Sequence, residues 1–191
     1  PNHKTDTLIT IDIDDKITSL AFLDKKNIII GFSKNGLYKL NLESKKTSKI
    51  KFHEDIITQN INSIVVLKNK IWVATYDGLF CLDRNGEIKH RYSTENGLRH
   101  NLINTINILS DGTIIVGSKS NRISFIKDDK VTEIKLPSDF PNINISEISV
   151  SNDDHIYIGT IGKGLYIINN QEITHLTKED GLKSNYIYGI T

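Results

Sequence analysis

Short apolar runs rich in Ile, Val, Leu and Tyr alternate along the chain with turns rich in Gly, Asn and Asp. The clearest stretch lies between residues 61 and 93, where Lys68-Asn69-Lys70, Asp77-Gly78 and Asn85-Gly86 separate four such runs. Asn-Gly and Asp-Gly pairs supply the positive φ angles that tight hairpins need. The pattern therefore predicts antiparallel strands at 61–67, 71–75, 79–83 and 88–93, and no helical periodicity competes with it.

This four-strand unit recurs at a nearly constant interval. One strand of each unit carries a small residue, at Gly31, Ala74, Gly117 and Gly159. The steps between these positions are 43, 43 and 42 residues. The strand before it opens on isoleucine, at Ile17, Ile61, Ile103, Ile145 and again at Ile187. A third segment, Glu95–Leu98, returns 84 residues later as Glu179–Leu182. Three markers with one period indicate a tandem repeat of about 42 residues.

A strand-rich repeat of this length predicts an all-β β-propeller with four antiparallel strands in each blade. We expect blades at residues 17–60, 61–102, 103–144 and 145–186. Residues 8–12 would be the outer strand of a preceding blade and 187–191 the start of the next, which predicts a fragment of a larger, seven-bladed ring. A four-bladed ring closed by a terminal strand is the second choice, since residues 172–177 already give the fourth blade an outer strand.

Composition narrows the class of partner. Lys and Arg number 24 and Asp and Glu 23, so the net charge of +1 does not indicate nucleic-acid binding. The single cysteine, Cys81, excludes an internal disulfide and lies in an apolar strand, where we expect it to be buried. No run of 18 apolar residues predicts a membrane span. The chain begins at Pro1 and contains no Met, so we expect its native start to lie upstream.

Two copies of the repeat carry a more specific motif. They read Ile71-Trp-Val-Ala-Thr75 with Gly78-Leu79, and Ile156-Tyr-Ile-Gly-Thr160 with Gly164-Leu165. A downstream Gly-Leu follows each copy, at Gly97-Leu98 and Gly181-Leu182. This pattern resembles the two-component regulator propeller repeat over roughly residues 17–191. The departures are Ala74 for the usual Gly, Phe32-Ser33 in the first copy, and Ser118 and Asn121-Arg122-Ile123 in the third.

The resemblance implies a non-catalytic sensor. Propellers of that family form the extracytoplasmic, ligand-sensing part of membrane-spanning histidine kinases, many of which respond to glycans. It therefore implies a periplasmic or otherwise extracytoplasmic location, a small-molecule or oligosaccharide ligand, and no nucleic-acid or membrane contact in this region. The parent chain would be membrane-anchored, would carry the kinase elsewhere and could form a homodimer. No cofactor is implied.

Strand alternation places the candidate ligand site. In antiparallel four-strand blades, the turns between the second and third strands lie at the same end as the loops that join blades. We call this surface the loop face. Because long loops on a rigid scaffold commonly carry binding residues, we take its aromatic, amide and charged residues as ligand-binding candidates. They are Tyr76, Arg99, His100, Lys119, Asn121, Lys163 and Tyr186. We expect Trp72 and Tyr157, on second strands, to pack between blades instead.

Enzymatic alternatives have weaker support in the residues. The six histidines show no short metal-ligand spacing, and the first strands of the repeats carry almost no carboxylate except Glu147. A soluble lyase of the streptogramin-lyase type is one alternative, with His100 as the candidate catalytic histidine on the loop face. A propeller that binds another protein through one rim is the other. We predict neither a metal site nor catalytic residues in this region.

Overall fold

The chain forms β-strands at the apolar runs of the four repeats, whereas residues 187–190 carry no strand. The structure is a computed structural model, and it describes residues 9–51, 60–119, 123–133, 143–169 and 172–190. In these segments the strands of the first two repeats are β1 Ile17–Phe22, β2 Asn27–Phe32, β3 Gly36–Asn41, β4 Thr47–Lys49, β5 Ile61–Leu67, β6 Lys70–Thr75, β7 Gly78–Leu82 and β8 Ile88–Tyr92. Those of the next two are β9 Ile103–Ile108, β10 Ile114–Ser118, β11 Ile123–Lys127, β12 Lys130–Glu133, β13 Ile145–Val150, β14 Ile156–Thr160, β15 Leu165–Asn169 and β16 Glu172–Leu176. Short 3₁₀ helices span Thr94–Asn96 and Lys178–Asp180.

Each group of four consecutive strands makes one antiparallel sheet, with the strands in chain order from inner to outer. The second sheet, β5 to β8, has its strands within one residue of the predicted bounds. We call the sheets blades 1 to 4, and the first strand of each its inner strand. The predicted all-β class with four-stranded antiparallel blades is confirmed. A total of seven blades in the ring stays a prediction.

Successive blades pack through their inner strands, since β1 lies against β5, β5 against β9, and β9 against β13. The small residue of the second strand permits this approach. A Cβ placed on Gly31 would come within 2.7 Å of Ile61 Cγ2 and 2.9 Å of Ile64 Cδ1, closer than real carbon atoms pack. Gly117 meets the equivalent pair, Ile145 and Ile148, in the same way. The small-residue marker of the repeat therefore reflects the close contact between blades.

Polar side chains between the two apolar residues of each inner strand join neighbouring blades. Asn62 Nδ2 donates to the carbonyl oxygen of Ile103 at 2.7 Å, and Asn104 Nδ2 donates to that of Ile145 at 2.7 Å. The next residue accepts in return: Ser63 Oγ receives the amide of Ile106 at 3.3 Å. Both bonds cross the boundary between two adjacent blades, which we call a seam. Each copy of the Ile-Asn-Ser/Thr-Ile segment therefore joins its blade to the following one.

Removal of one seam bond should be measurable. We expect Asn104→Ala to lower the free energy of unfolding by about 1–2 kcal/mol, because the carbonyl oxygen of the buried Ile145 loses this donor. Urea denaturation of the full chain gives the value. Asn85→Ala, in an exposed turn where only the backbone amide is bonded, is the matched control and should change stability by less than about 0.5 kcal/mol. Equal losses in the two variants would contradict a stabilising role for the seam bond.

The first blade has one face that no other blade covers within the described residues. Ile17 is 44% exposed and Leu20 59%, whereas their counterparts Ile103 and Ile106 are 0% and 3% exposed. The outer part of the same face is covered by residues 9–13, whose alternate isoleucines pack against Ile30, Phe32 and Leu40. Residues 9–12 have no strand pairing in the structure, and their place in a preceding blade stays a prediction.

Two further expectations concern burial and membrane helices. Cys81 is fully buried, and desolvation raises the pKa of its thiol to about 11, so the thiol is an inert part of the core. In the described segments, no helix has the length and apolar character needed to cross a bilayer.

Candidate functional site on the loop face

The loops from blade 2 to blade 3 and from blade 4 onward are built alike, 84 residues apart. Ser93 caps the first 3₁₀ helix by accepting from the amide of Glu95, and Asn96 completes the capping box through its bond from the Ser93 amide. Thr177 and Asp180 repeat this arrangement in the second loop. The helices end on left-handed glycines, Gly97 and Gly181, which explains the Glu-x-Gly-Leu marker of the repeat.

An asparagine in each of these loops ties it to the adjoining turn. Asn101 Oδ1 accepts from the Thr94 amide at 2.8 Å, and its carbonyl oxygen accepts from Gly78 at 2.8 Å. Asn185 makes the same connections in blade 4, to Lys178 and to Gly164. The loops and the turns between second and third strands thus form one connected surface.

The threonine of the family-like motif supports the turn itself. Thr75 Oγ1 donates to the Gly78 carbonyl oxygen at 2.9 Å and accepts from the Asp77 amide at 3.0 Å. Thr160 Oγ1 donates to the Gly164 carbonyl oxygen at 2.7 Å. Both hydroxyls are buried, so the motif residues position the loop face and do not contact a ligand directly.

In blade 1 a carboxylate takes over this task. Asp15 accepts from Ser33 Oγ at 2.6 Å and from the amides of Lys34 and Asn35 at 2.7 and 2.8 Å. These bonds, the one from Ser33 first, hold the pKa of Asp15 well below its usual range. The turn of blade 1 is therefore held by an ionised side chain at neutral pH.

Two of the predicted binding residues, Tyr76 and Lys119, meet above the seam between blades 2 and 3, and His100 is connected to Lys119 through the backbone of Leu102. The Lys119 ammonium lies 5.8 Å from the centroid of the Tyr76 ring, and the Lys119 amide donates to the Leu102 carbonyl oxygen at 2.8 Å. His100 Nδ1 accepts from the Leu102 amide at 2.9 Å, so its Nε2 carries the proton. Tyr76 is 40% exposed. The exposed Tyr76 ring can stack on the ring of a ligand, and the Lys119 ammonium beside it can donate hydrogen bonds to that ligand.

Lys163 and Tyr186 form a second group on blade 4. The Tyr186 ring lies against Gly162, and Tyr186 bridges to Ile161. Lys163 is exposed on the same turn, while its carbonyl oxygen accepts from His175 Nε2 at 2.6 Å. No contact between these two and the Tyr76 group is recorded over the described ranges.

Of the remaining two candidates, Arg99 lies apart from both groups. Arg99 turns outward to form an ion pair with Glu133 at the end of the outermost strand of blade 3. Because of this ion pair, the Arg99 guanidinium lies at the outer edge of blade 3. Asn121 falls outside the described residues, and its binding role stays a prediction.

The inner strands place Glu147 in the seam between blades. Its Oε1 accepts from Thr105 Oγ1 at 2.9 Å and from the Ile148 amide at 3.2 Å. This lone carboxylate is occupied by structural hydrogen bonds. Across the described residues, no three His, Cys, Asp or Glu side chains group closely enough to hold a metal ion.

Sequence reasoning did not find a groove at the opposite end of the same seam, where Trp72 forms part of the wall. Trp72 does pack between blades as expected, in a buried cluster with Ile106 and Ile114 and stacked on Tyr92 at 5.8 Å. The sequence does mark this position, because Trp72 stands where blades 1 and 3 have isoleucines, Ile29 and Ile115.

Comparison with known proteins gives matches among solved structures alone. No family model matches the chain, and no curated protein matches it. The extracellular domain of the hybrid two-component system BT3049 of B. thetaiotaomicron superposes with a TM-score of 0.73 at 22% identity, over 85% of this chain and 23% of that one. The extracellular domain of BT4673 of the same organism gives 0.75 at 21% identity, over 93% and 25%.

The chain has the fold of a β-propeller segment. Virginiamycin B lyase of Staphylococcus aureus also shares it, with a TM-score of 0.68 at 18% identity over 87% of this chain and 57% of that one. The chain spans about a quarter of the length of the two-component proteins' extracellular domains. The neighbours therefore include the class of protein that the sequence motif resembles, together with an enzyme on the same scaffold.

Proposed function

We propose that this chain is a ligand-sensing part of an extracytoplasmic propeller in a two-component signalling protein, and that it has no catalytic activity of its own. The single observation that carries the proposal is the exposed Tyr76 ring with the Lys119 ammonium beside it, held on a rigid loop face. The motif resemblance and the similarity to extracellular domains of hybrid two-component systems over 85–93% of the chain support it.

The chemistry at Tyr76 favours a ring-bearing polar ligand, and we propose an oligosaccharide. The apolar face of a sugar ring stacks on tyrosine, while Lys119 and His100 Nε2 donate hydrogen bonds to its hydroxyls. The turns that carry Tyr76 and Lys119 are already fixed, because the Gly78 amide donates to the Asn101 carbonyl oxygen and the Lys119 amide donates to that of Leu102. Signalling further requires that the ligand bind one arrangement of the sensor more tightly than the other.

A panel of neutral and acidic di- to hexasaccharides, titrated into the full chain by calorimetry, tests this site. We expect one member to bind, Tyr76→Ala to weaken it about tenfold, and Tyr76→Phe to retain most of the affinity through the ring face. Tyr188→Ala is the matched control, since Tyr188 is 74% exposed but lies outside the loop-face group. Failure of the whole panel to bind, or equal losses in Tyr76→Ala and Tyr188→Ala, would overturn the proposal.

The lyase alternative depends on His100. A histidine-to-alanine variant of the S. aureus virginiamycin B lyase is catalytically inactive and was captured with quinupristin. In this chain His100 uses Nδ1 to accept from a backbone amide and has no carboxylate partner recorded within the described ranges. We therefore expect no turnover of quinupristin by the full chain, and turnover lost in His100→Ala would favour the enzyme instead.

A further inference from the structure

A groove of about 490 Å³ runs between blades 2 and 3 at the end opposite the loop face. We call it the seam groove. Its wall on blade 2 is the β5–β6 turn, Lys68-Asn69-Lys70, and its wall on blade 3 is formed by Asp111-Gly112 and the β11–β12 turn, Asp128-Asp129. This volume lies in the range of small-molecule sites.

The neighbouring seams are closed at this end by side chains. Between blades 1 and 2, Arg84 Nη1 donates to Asp24 Oδ2 at 3.1 Å. Between blades 3 and 4, Ser110 Oγ donates to Asp154 Oδ2 at 2.5 Å. No equivalent bond joins the β5–β6 turn to blade 3 in the described parts of the chain, so the seam groove stays open where the other two are bridged.

The two walls carry opposite charge. Lys68 and Lys70 on the blade 2 wall have no recorded ion pair, and neither has Asp128 on the blade 3 wall, as far as the described residues extend. Asp111 is already matched, because bonds from Lys127 and Thr113 lower its pKa to about 2. The groove therefore presents free cations on one side and a free anion on the other.

Further in, the lining of the groove is apolar. Tyr92 Oη donates to Asp129 Oδ1 at 3.0 Å, which joins blades 2 and 3 along the outer margin. Leu67, Ile114 and Ile126 line the interior beside Trp72. An aliphatic group of the ligand would find its partners here.

The buried side chain of Trp72 forms part of the wall of the seam groove. The residue is 5% exposed, yet its indole N–H has no hydrogen-bond acceptor among the described residues. A buried donor without a partner costs about 1–3 kcal/mol. An isoleucine at this position, as in blades 1 and 3, would avoid that cost.

We propose that the seam groove binds a small dipolar ion with an aliphatic side chain, an α-amino acid. Its carboxylate faces Lys68 and Lys70, and its ammonium group faces Asp128. Its side chain packs on Leu67, Ile114 and Ile126. A dipolar ion directs its anionic group toward the cations of one wall and its cationic group toward the anion of the other. This site is separate from the Tyr76 group in position and in ligand chemistry.

The full chain contains one tryptophan, so its emission reports directly on the groove. L-leucine is the probe, with leucinamide, which lacks the carboxylate, and 4-methylpentanoate, which lacks the ammonium group, as matched analogues. We expect saturable binding of L-leucine with a shift in Trp72 emission, and at least tenfold weaker binding of each analogue. Equal binding of the three compounds, or no binding of L-leucine, would overturn the proposal.

Variants locate the site. Lys70→Ala and Asp128→Asn should each weaken L-leucine binding at least fivefold, and both residues are exposed, so the fold should persist. Lys25→Ala, in the corresponding turn of blade 1, is the control and should bind as the parent does. Binding that survives Lys70→Ala and Asp128→Asn unchanged, or a methyl glycoside that binds where L-leucine does not, would overturn it.

Discussion

Gly164→Ala is expected to lower the free energy of unfolding of the full chain by about 2–4 kcal/mol. Gly164 has φ of 78°, where a side chain is strained, and an added Cβ would overlap the carbonyl oxygen of Leu176 on the neighbouring outer strand. The overlap is with backbone, so a rotamer change cannot relieve it. The same residue accepts from Thr160 Oγ1 and donates to the Asn185 carbonyl oxygen, which ties the turn to the loop.

Gly181→Ala separates the cost of backbone strain at positive φ from the cost of steric overlap with a neighbouring strand. Gly181 has a similar φ of 104°, but a Cβ there would meet no atom within 4 Å in the described parts of the chain. The Gly181→Ala variant should therefore have a free energy of unfolding about 1 kcal/mol lower, from backbone strain alone. Urea midpoints at constant m-value give the comparison. Equal losses for the two variants would show that the contact with Leu176 does not limit stability.

Ile106→Ala should lower the free energy of unfolding by about 2–5 kcal/mol. Ile106 is 3% exposed and lies in the buried cluster between blades 2 and 3, so truncation leaves a cavity at the seam. Leu20 holds the same place in the repeat, on the inner strand of blade 1, but is 59% exposed. Leu20→Ala should therefore change stability by less than about 0.5 kcal/mol.

The two variants together measure whether another surface covers blade 1. Both remove apolar carbon at one repeat position, so a large difference between them reflects the neighbouring blade. Thermal or urea unfolding of the full chain gives both values. A loss in Leu20→Ala that matches Ile106→Ala would contradict the exposed state of this face and would show that it is buried in the full chain.

Part of the candidate site could be predicted from the sequence. Strand alternation placed Tyr76, His100 and Lys119 at one end of adjoining blades, and the structure places Lys119 over the Tyr76 ring. The outward turn of Arg99 to Glu133 could not be foreseen, because the two residues are 34 positions apart and belong to different blades. The charge of Arg99 made it a candidate for ligand binding, but its guanidinium forms an ion pair with Glu133 instead.

By itself the sequence determined the strands, their grouping into four sheets, and the turns, because these depend on local alternation and on residues such as Gly78 that tolerate positive φ. The constant interval also implied that each blade repeats its neighbour. Only the tertiary structure decided what meets across a seam: Asn104 reaching the Ile145 carbonyl oxygen, Arg84 bridging to Asp24, and the open groove beside Trp72. Such contacts depend on the angle between blades and on side-chain direction. Residues about 42 positions or more apart in the chain become neighbours there, and no local periodicity records which of them pair.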